Sequence, residues 1–198
     1  MSRWLKAITG GLLLTLLFQF CGFAGNCDAI RTGVVRVHIL AHSDSAEDQA
    51  LKLKVRDAVT AAGADVLDGT EDVTAARQKL GAALPALCAA AQQCVYENGY
   101  PYEVRGELTN MYFTTRTYDS GTFPAGYYDA VRFTIGAGEG RNWWCVMYPP
   151  LCVSAAADPD TLSDTFTDAQ TDMIENSGRY EVRFKLVEWW ERLLSYFR

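Results

Sequence analysis

The stretch that decides the fold is "VVRVHILAHSDSAEDQALKLKVRDAV", residues 34–59, in which the spacing of apolar residues changes from two to about four. Its first part, Val34 to His42, is β-branched and alternating, which predicts a strand with one face in the core. Its second part places an N-cap at Asp44 or Ser45, acidic residues in the next turn and an apolar stripe after them. Leu51, Leu53 and Val55 also alternate, which leaves a strand open locally, but the caps and the length of the stripe favour a strand that leads into a helix.

A second helix is predicted from Asp72 to Tyr96, with Gly99 as its stop. Pro85 lacks the amide donor of the helical ladder, so we expect the helix to kink there or to restart with Pro85 as its first residue. Cys88 and Cys94 lie at the edges of the apolar stripe. Six helical residues separate Cα atoms by about 9 Å along the axis, beyond the limit of about 7 Å for a disulfide. These two cysteines are therefore expected to be small core residues.

From Tyr102 onward the apolar spacing is two. Three runs, residues 102–118, 127–136 and 142–148, predict three consecutive strands in a meander. The glycines of "GAGEG" precede a strand, not a helix, so they predict a hairpin turn and not a phosphate-binding loop. Together these elements predict the fold class α+β: two layers, an antiparallel sheet of about four strands with two helices on one face, plus a C-terminal amphipathic helix.

The chain of 198 residues, 49% of them hydrophobic, is long enough for one domain with tails. We expect a signal peptide or N-terminal anchor at 1–29, a single α+β domain at 30–153, an acidic linker at 154–178 and an amphipathic helix at 179–198. The apolar side of that last helix needs an apolar surface to receive it. That side carries Val182, Leu186, Trp189, Trp190, Leu193 and Phe197.

The N-terminal segment has the pattern of a secretory signal. Arg3 and Lys6 precede an apolar run from Ala7 to Phe23, and small residues follow. As a helix the run would span about 26 Å, slightly less than the ~30 Å hydrocarbon core. The pattern favours a cleaved signal, and a permanent anchor that contacts the membrane is the alternative.

Export would let the cysteines pair, and the mature domain would hold Cys88, Cys94, Cys145 and Cys152, with three connectivities open. In "GRNWWCVMYPPLC", residues 140–152, the two prolines must end the strand and turn the chain, which can bring Cys152 back to Cys145. On the loop-closure model, a disulfide between Cys145 and Cys152 would stabilise the fold by about 2.5 kcal/mol. The neighbouring tryptophans are either core residues or an exposed binding patch.

The sequence gives little support for a catalytic or metal-binding site. The net charge of −6 is unlike that of a general nucleic-acid binder. The only two histidines, His38 and His42, stand about 13 Å apart on a strand, too far to share an ion. No motif of a serine hydrolase or zinc protease occurs. We therefore expect no catalytic, cofactor-binding or metal-binding residues, no cofactor and no small-molecule substrate.

Three strings closely resemble the stage II sporulation protein R family of endospore-forming bacteria. They are "HILAHSDSAEDQALKLKVRDAV" (38–59), "FPAGYYDAVRFTIGAGEGRNWWCVMYPPLC" (123–152) and "EVRFKLVEWW" (181–190). The chain departs from the family pattern at His42, where the pattern has asparagine. Cys88 and Cys94 also lie outside the pattern.

The resemblance implies a secreted sporulation signalling protein without enzymatic activity. Such a protein is exported from the forespore into the space between forespore and mother cell. There it activates a membrane-embedded aspartic protease in the mother-cell membrane, which then processes the pro-sigma-E precursor. We expect the partner to meet either the open sheet face or the rim that ends at Cys152. The candidate contact residues are Arg36, His38, Asp44, Arg132, Trp143, Trp144, Pro149 and Pro150.

Two alternatives remain at this point. A cell-wall module would bind or hydrolyse peptidoglycan. A membrane-docked module would lay its C-terminal helix on lipid, but the basic residues of that helix are matched by acids, which favours packing on its own domain.

Overall fold

The computed structural model describes residues 3–151 and 161–195. The helices are α1 (Arg3–Thr32), α2 (Ala46–Leu67), α3 (Val73–Glu97), α4 (Thr161–Thr165), α5 (Asp168–Glu175) and α6 (Glu181–Ser195), with a 3-10 turn at Ser177–Arg179. The strands are β1 (Val35–Leu40), β2 (Val104–Phe113), β3 (Arg116–Tyr118), β4 (Gly121–Phe123), β5 (Gly126–Ile135) and β6 (Asn142–Tyr148).

The chain packs into two units. The sheet unit comprises Thr32–Tyr112 and Tyr127–Thr165, and the helical unit comprises Met1–Arg31, Phe113–Gly126 and Phe166–Arg198. The predicted domain 30–153 is therefore not packed as one unit, because the segment around the β3–β4 hairpin belongs with α1 and α6.

The main sheet has four strands in the order β2-β5-β1-β6. This confirms the α+β class and the strand number. The prediction of consecutive strands in a meander was wrong, because β1 lies between β5 and β6. The sheet is also mixed and not wholly antiparallel, since β1 is parallel to β5 and antiparallel to β6. Alternating apolar residues specify which face is buried but not the direction of the neighbouring strand, so the pattern could not reveal this.

Helices α2 and α3 pack on one face of the sheet, as predicted. The side chain of Ser45 caps α2 by accepting a hydrogen bond from the Asp48 amide at 3.1 Å. Asp72 caps α3 by accepting from the Ala75 amide at 2.8 Å. The shared core is aliphatic and aromatic. Its central members are Val35, Val37, Ile39, Leu51, Val55, Val59, Leu80, Leu87, Ala91, Val131 and Phe133.

Helix α3 continues through Pro85 as one element and ends before Gly99, whose φ of +81° is typical of a helix C-terminus. Cys88 and Cys94 are free, partly buried and packed against the core. Their predicted role as small core residues is confirmed.

The helical unit is built around the second half of α1. The ring of Phe23 lies 5.4 Å from the ring of Phe184 and 5.9 Å from that of Tyr180. The β3–β4 hairpin packs on α5, where Gly121 approaches Ile174 so closely that a Cβ would lie 2.4 Å from its Cγ2. Part of the predicted linker 154–178 therefore forms the ordered helices α4 and α5, with Met173 and Ile174 of α5 buried.

Helix α6 confirms the predicted C-terminal helix, but the side expected to pack was wrong. Phe184 and Val187 are buried, whereas the predicted apolar stripe stays open. The exposed fractions are 72% for Val182, 48% for Leu186, 63% for Trp189 and 43% for Trp190. Phe197 lies outside the described residues.

Candidate interaction surface

Strand β1 divides its residues between two faces of the sheet. Val35, Val37 and Ile39 enter the core with α2 and α3, and Arg36 and His38 therefore lie on the opposite face. The register places Ala130, Arg132, Val146 and Trp144 beside these two residues on the neighbouring strands. The strands thus bring together four of the eight residues predicted to contact a partner: Arg36, His38, Arg132 and Trp144.

Arg36 is fully buried, with 0% of its surface exposed. Its Nε donates a hydrogen bond to the Cys145 carbonyl oxygen at 3.2 Å, and its guanidinium lies 4.9 Å from the centre of the Tyr128 ring. These contacts tie β1 to both neighbouring strands. The expectation that Arg36 faces a partner was wrong, because a strand residue on the non-helical face need not be at the surface.

His38 is also buried, at 2% exposure. Its ring stacks on Trp144 with centroids 3.8 Å apart and planes within 2°, and its Nε2 lies 2.7 Å from Asn142 Oδ1. Desolvation is the main cause that lowers the pKa of His38 to about 4, and the nearby charge of Arg132 acts in the same direction, while the Asn142 bond opposes both. His38 is neutral at pH 7 and supports Trp144 from beneath instead of meeting a partner.

Arg132 lies on β5, which has β2 on one side and β1 on the other. Its Nη1 pairs with Glu107 on β2 at 3.3 Å, and both side chains are more than a third exposed. Because such an exposed pair is held weakly, the guanidinium can exchange Glu107 for another acidic group. Trp144, Asn142 and Arg132 together form what we call the Trp144 surface.

Trp143 faces the other way. It packs against the core cluster on the helical side of the sheet, and the guanidinium of Arg56 lies 5.4 Å from its ring. The sequence left open whether these tryptophans are core residues or an exposed patch. Trp143 is a core residue at the edge of the sheet, whereas Trp144 is partly exposed on the opposite face.

Asp44 organises the loop that precedes β6. Its Oδ1 accepts a hydrogen bond from the Arg141 amide at 2.7 Å, and the Gly140 amide donates to the Ala41 carbonyl at 3.0 Å. Lys52 Nζ donates to the Arg141 carbonyl oxygen at 3.0 Å. Asp44 therefore joins the "HSDS" and "GEGR" segments.

His42 belongs to the same loop junction. Its Nδ1 accepts a hydrogen bond from the Ala137 amide at 3.0 Å, and its ring stacks on Tyr102 with centroids 4.0 Å apart. An asparagine carboxamide oxygen could accept the same bond, so the departure at this position is compatible with the loop.

Pro149 and Pro150 turn the chain at the end of β6. The Tyr148–Pro149 peptide bond is cis, Pro149 is buried and Pro150 is partly exposed. The Leu151 amide donates to the Pro149 carbonyl oxygen at 2.8 Å. Cys152, the predicted partner of Cys145, lies outside the described residues, so this pairing stays a prediction.

The Trp144 surface combines a partly exposed tryptophan with a partly exposed arginine. Tryptophan and arginine are the residue types that carry most binding energy at protein interfaces. Within residues 3–151 and 161–195, no group of three or more His, Cys, Asp or Glu side chains is placed to hold a metal ion.

Comparison with known proteins identifies the family. The sequence profile of stage II sporulation protein R matches residues 31–158. The chain belongs to the stage II sporulation protein R family. A member of this family, the stage II sporulation protein R of Bacillus subtilis (strain 168), is 31% identical in an alignment 185 residues long that covers 81% of each chain. No solved structure matches the chain.

The stage II sporulation protein R profile covers both strings that meet at the Asp44 loop and the whole Trp144 surface. Sequence reasoning missed Asn142 and Glu107 as members or neighbours of that surface. The period of two could have placed Asn142 on the same face as Trp144. Glu107 could not be found that way, because its position beside Arg132 depends on the order of strands.

Proposed function

We propose that this chain is a non-enzymatic sporulation signal that activates a membrane-embedded aspartic protease in the mother-cell membrane, leading to processing of the pro-sigma-E precursor. The chain is exported across the forespore membrane to reach the space between the two cells. The observation that carries the proposal is the match to the stage II sporulation protein R family. The apolar N-terminal helix, which suits a signal or an anchor, supports export.

The Trp144 surface is the part of the sheet unit that we assign to the protease. It offers an aromatic side chain held by stacking and an arginine whose present partner is an exposed glutamate. A partner carboxylate could replace Glu107 and meet Arg132 in a drier environment, where a charge-assisted hydrogen bond is stronger. We therefore expect an acidic group on the protease opposite Arg132.

A disulfide between Cys145 and Cys152 would fix the turn beside this surface. Cys145 is buried and is not one of the free cysteines, which are Cys21, Cys27, Cys88 and Cys94 among the described residues. The Leu151 amide donates a hydrogen bond to the Pro149 carbonyl oxygen, which forms a tight turn at the end of β6. The pairing would preserve the shape of the strand end while the partner binds.

A mixing experiment tests the function. The purified full chain is added to membranes that contain the protease and its pro-sigma-E substrate, and cleavage of the precursor is measured. We expect cleavage to depend on the added chain, and Trp144→Ala combined with Arg132→Glu to reduce it at least about tenfold, as for loss of interface anchors.

The matched control is Tyr96→Ala combined with Arg77→Glu. Tyr96 is an exposed aromatic residue and Arg77 an exposed arginine, and both lie on α3, away from the Trp144 surface. This control should retain wild-type activation. If both double variants activate equally, the Trp144 surface is not the contact. If the wild-type chain gives no cleavage, the proposed function itself fails.

A further inference from the structure

Helix α1 continues without a break from Arg3 to Thr32. It is long and apolar enough to cross a membrane, and almost none of its most apolar segment is buried within the protein. The leucines of its first half, such as Leu12 and Leu17, are exposed. In water this surface would be costly, whereas in a bilayer it is matched to its surroundings.

The second half of α1 is different, because it is built into the helical unit. Phe23, Cys27 and Ile30 are buried. Phe23 packs on Tyr180 and Phe184, and the guanidinium of Arg183 lies 5.8 Å from its ring. These apolar contacts make the end of α1 a structural part of the unit.

Arg31 fixes the last turn of α1 in the same unit. Its Nη2 lies 3.2 Å from Glu191 Oε1 and 3.1 Å from Asp28 Oδ1, and its Nη1 donates to the Ala125 carbonyl oxygen at 3.0 Å. A signal peptidase that cut within the small residues at 22–29 would separate some or all of these groups from the chain or leave them on a frayed end.

Helix α6 lies along this part of α1 and runs in the same direction. Phe23 meets the start of α6 at Phe184, and Arg31 meets Glu191 near its end. The exposed apolar face of α6 lies on the side opposite Phe184 and Glu191, since residues 182, 186 and 189 are spaced by about one and two helical turns. Trp189 and Trp190 on this face therefore point away from α1, at the level of the segment of α1 that follows the apolar run.

We infer that α1 remains in the mature protein as a membrane anchor, and that the Trp189–Trp190 face of α6 lies in the interfacial layer of the same bilayer. Tryptophan is enriched at that depth because its ring is apolar and its N–H can bond to water or headgroups. Arg3 and Lys6 precede the apolar run, which places the folded part outside the cytoplasm. The occupant of the exposed α6 face is thus the lipid surface in which its neighbour α1 is embedded.

The charges of α6 suggest how it meets lipid. Lys185 pairs with Glu181 at 2.9 Å, and Arg192 pairs with Glu188 at 3.3 Å. Because the three basic residues of α6 are matched by three acidic ones, the helix carries no net charge, and the contact depends on the tryptophans and only weakly on anionic lipid. This inference does not depend on activation of a protease, so its tests are independent of the mixing experiment.

The first test is the length of the mature chain. The full chain is expressed with its own N-terminus in a sporulating bacterium, and its mass is measured in membrane and soluble fractions. We expect a chain that retains α1 and is released only by detergent. A chain that begins between residues 22 and 30 overturns the inference, whichever fraction contains it.

The second test locates α6. Full chain carrying Trp4→Phe is reconstituted in phosphatidylcholine vesicles with brominated acyl chains, which quench nearby tryptophans. Two of the four tryptophans left after this change are on α6, so we expect loss of up to about half of the emission, with little change when anionic lipid is added. Adding Trp189→Phe and Trp190→Phe should abolish the quenching, whereas adding Trp144→Phe should not. Absence of quenching in the Trp4→Phe protein overturns the placement of α6.

Discussion

The rings of His38 and Trp144 stack face to face across neighbouring strands, with centroids 3.8 Å apart. The two residues are register partners on β1 and β6. The imidazole is therefore covered by the indole, and the partly exposed tryptophan has a flat, rigid support. Protonation of His38 and exposure of Trp144 are coupled through this contact.

Trp144→Ala should raise the pKa of His38 from about 4 toward its ordinary value of 6.5. Removing the indole lets water reach the imidazole, and desolvation is the main cause of the low pKa. The measurement is an NMR titration of the His38 ring protons. An unchanged pKa in the variant would show that burial by other groups, and not the stack, keeps the ring neutral.

Stability should fall as the pH is lowered from 6.5 to 4. The folded state holds His38 neutral down to about pH 4, while the unfolded chain binds a proton near 6.5, so the stabilisation is complete above 6.5 and is lost toward 4. The loss assigned to His38 is at most about 3 kcal/mol. Denaturant unfolding in mild detergent should show a shallower pH dependence for His38→Gln than for the wild type over this interval. Parallel curves would contradict the assignment.

Gly140→Ala should destabilise the sheet unit by about 1–3 kcal/mol. A Cβ at Gly140 would lie 2.1 Å from the Ser43 carbonyl oxygen, a backbone atom that cannot turn aside. The matched control is Gly178→Ala, where a Cβ meets nothing within 4 Å. Thermal unfolding of both variants checks the prediction, and equal midpoints would indicate that the loop can shift without cost.

Ser45→Ala should cost about 1 kcal/mol, the usual loss for removing an N-cap side chain. The hydroxyl accepts the Asp48 amide at 3.1 Å, and alanine would leave that amide without this partner. Ser45→Gly is the control, because glycine is tolerated at this position at a cost of only a few tenths of a kcal/mol. A loss for Ser45→Ala as small as that for Ser45→Gly would contradict the prediction, because it would show that the Ser45 hydroxyl contributes little to the cap.

Local elements could be predicted well from the sequence because their causes are local. Ser45 as cap and the stripe at Leu51 and Val55 identified α2, and alternation identified β1. The strand order depends on contacts between distant segments, and nothing in residues 34–42 specifies that β5 lies alongside β1 in parallel. The strand order and the burial of Arg36 therefore could not be predicted from the apolar pattern of the sequence.

The candidate site was predicted in part for the same reason. Trp144 was identified from its neighbours in the chain. Arg132 was identified only if the strand register placed it beside His38, which it does. On α6, the stripe that includes Trp189 was correctly seen as apolar. Amphipathicity cannot distinguish a face that packs on protein from one that meets lipid, because both are apolar.

Alkylation should distinguish the predicted Cys145–Cys152 disulfide from the free thiols. When the unreduced full chain is denatured and alkylated, we expect modification of four cysteines, Cys21, Cys27, Cys88 and Cys94, because these are free. Reduction before alkylation should raise the number to all six. Under native conditions Cys88 and Cys94 should react slowly, since burial raises the pKa of both thiols and keeps them protonated. Peptide mass spectrometry identifies each modified residue. Modification of Cys145 and Cys152 without reduction would contradict the disulfide, whereas absence of only Cys21 and Cys27 would point to removal of α1 and leave the disulfide intact.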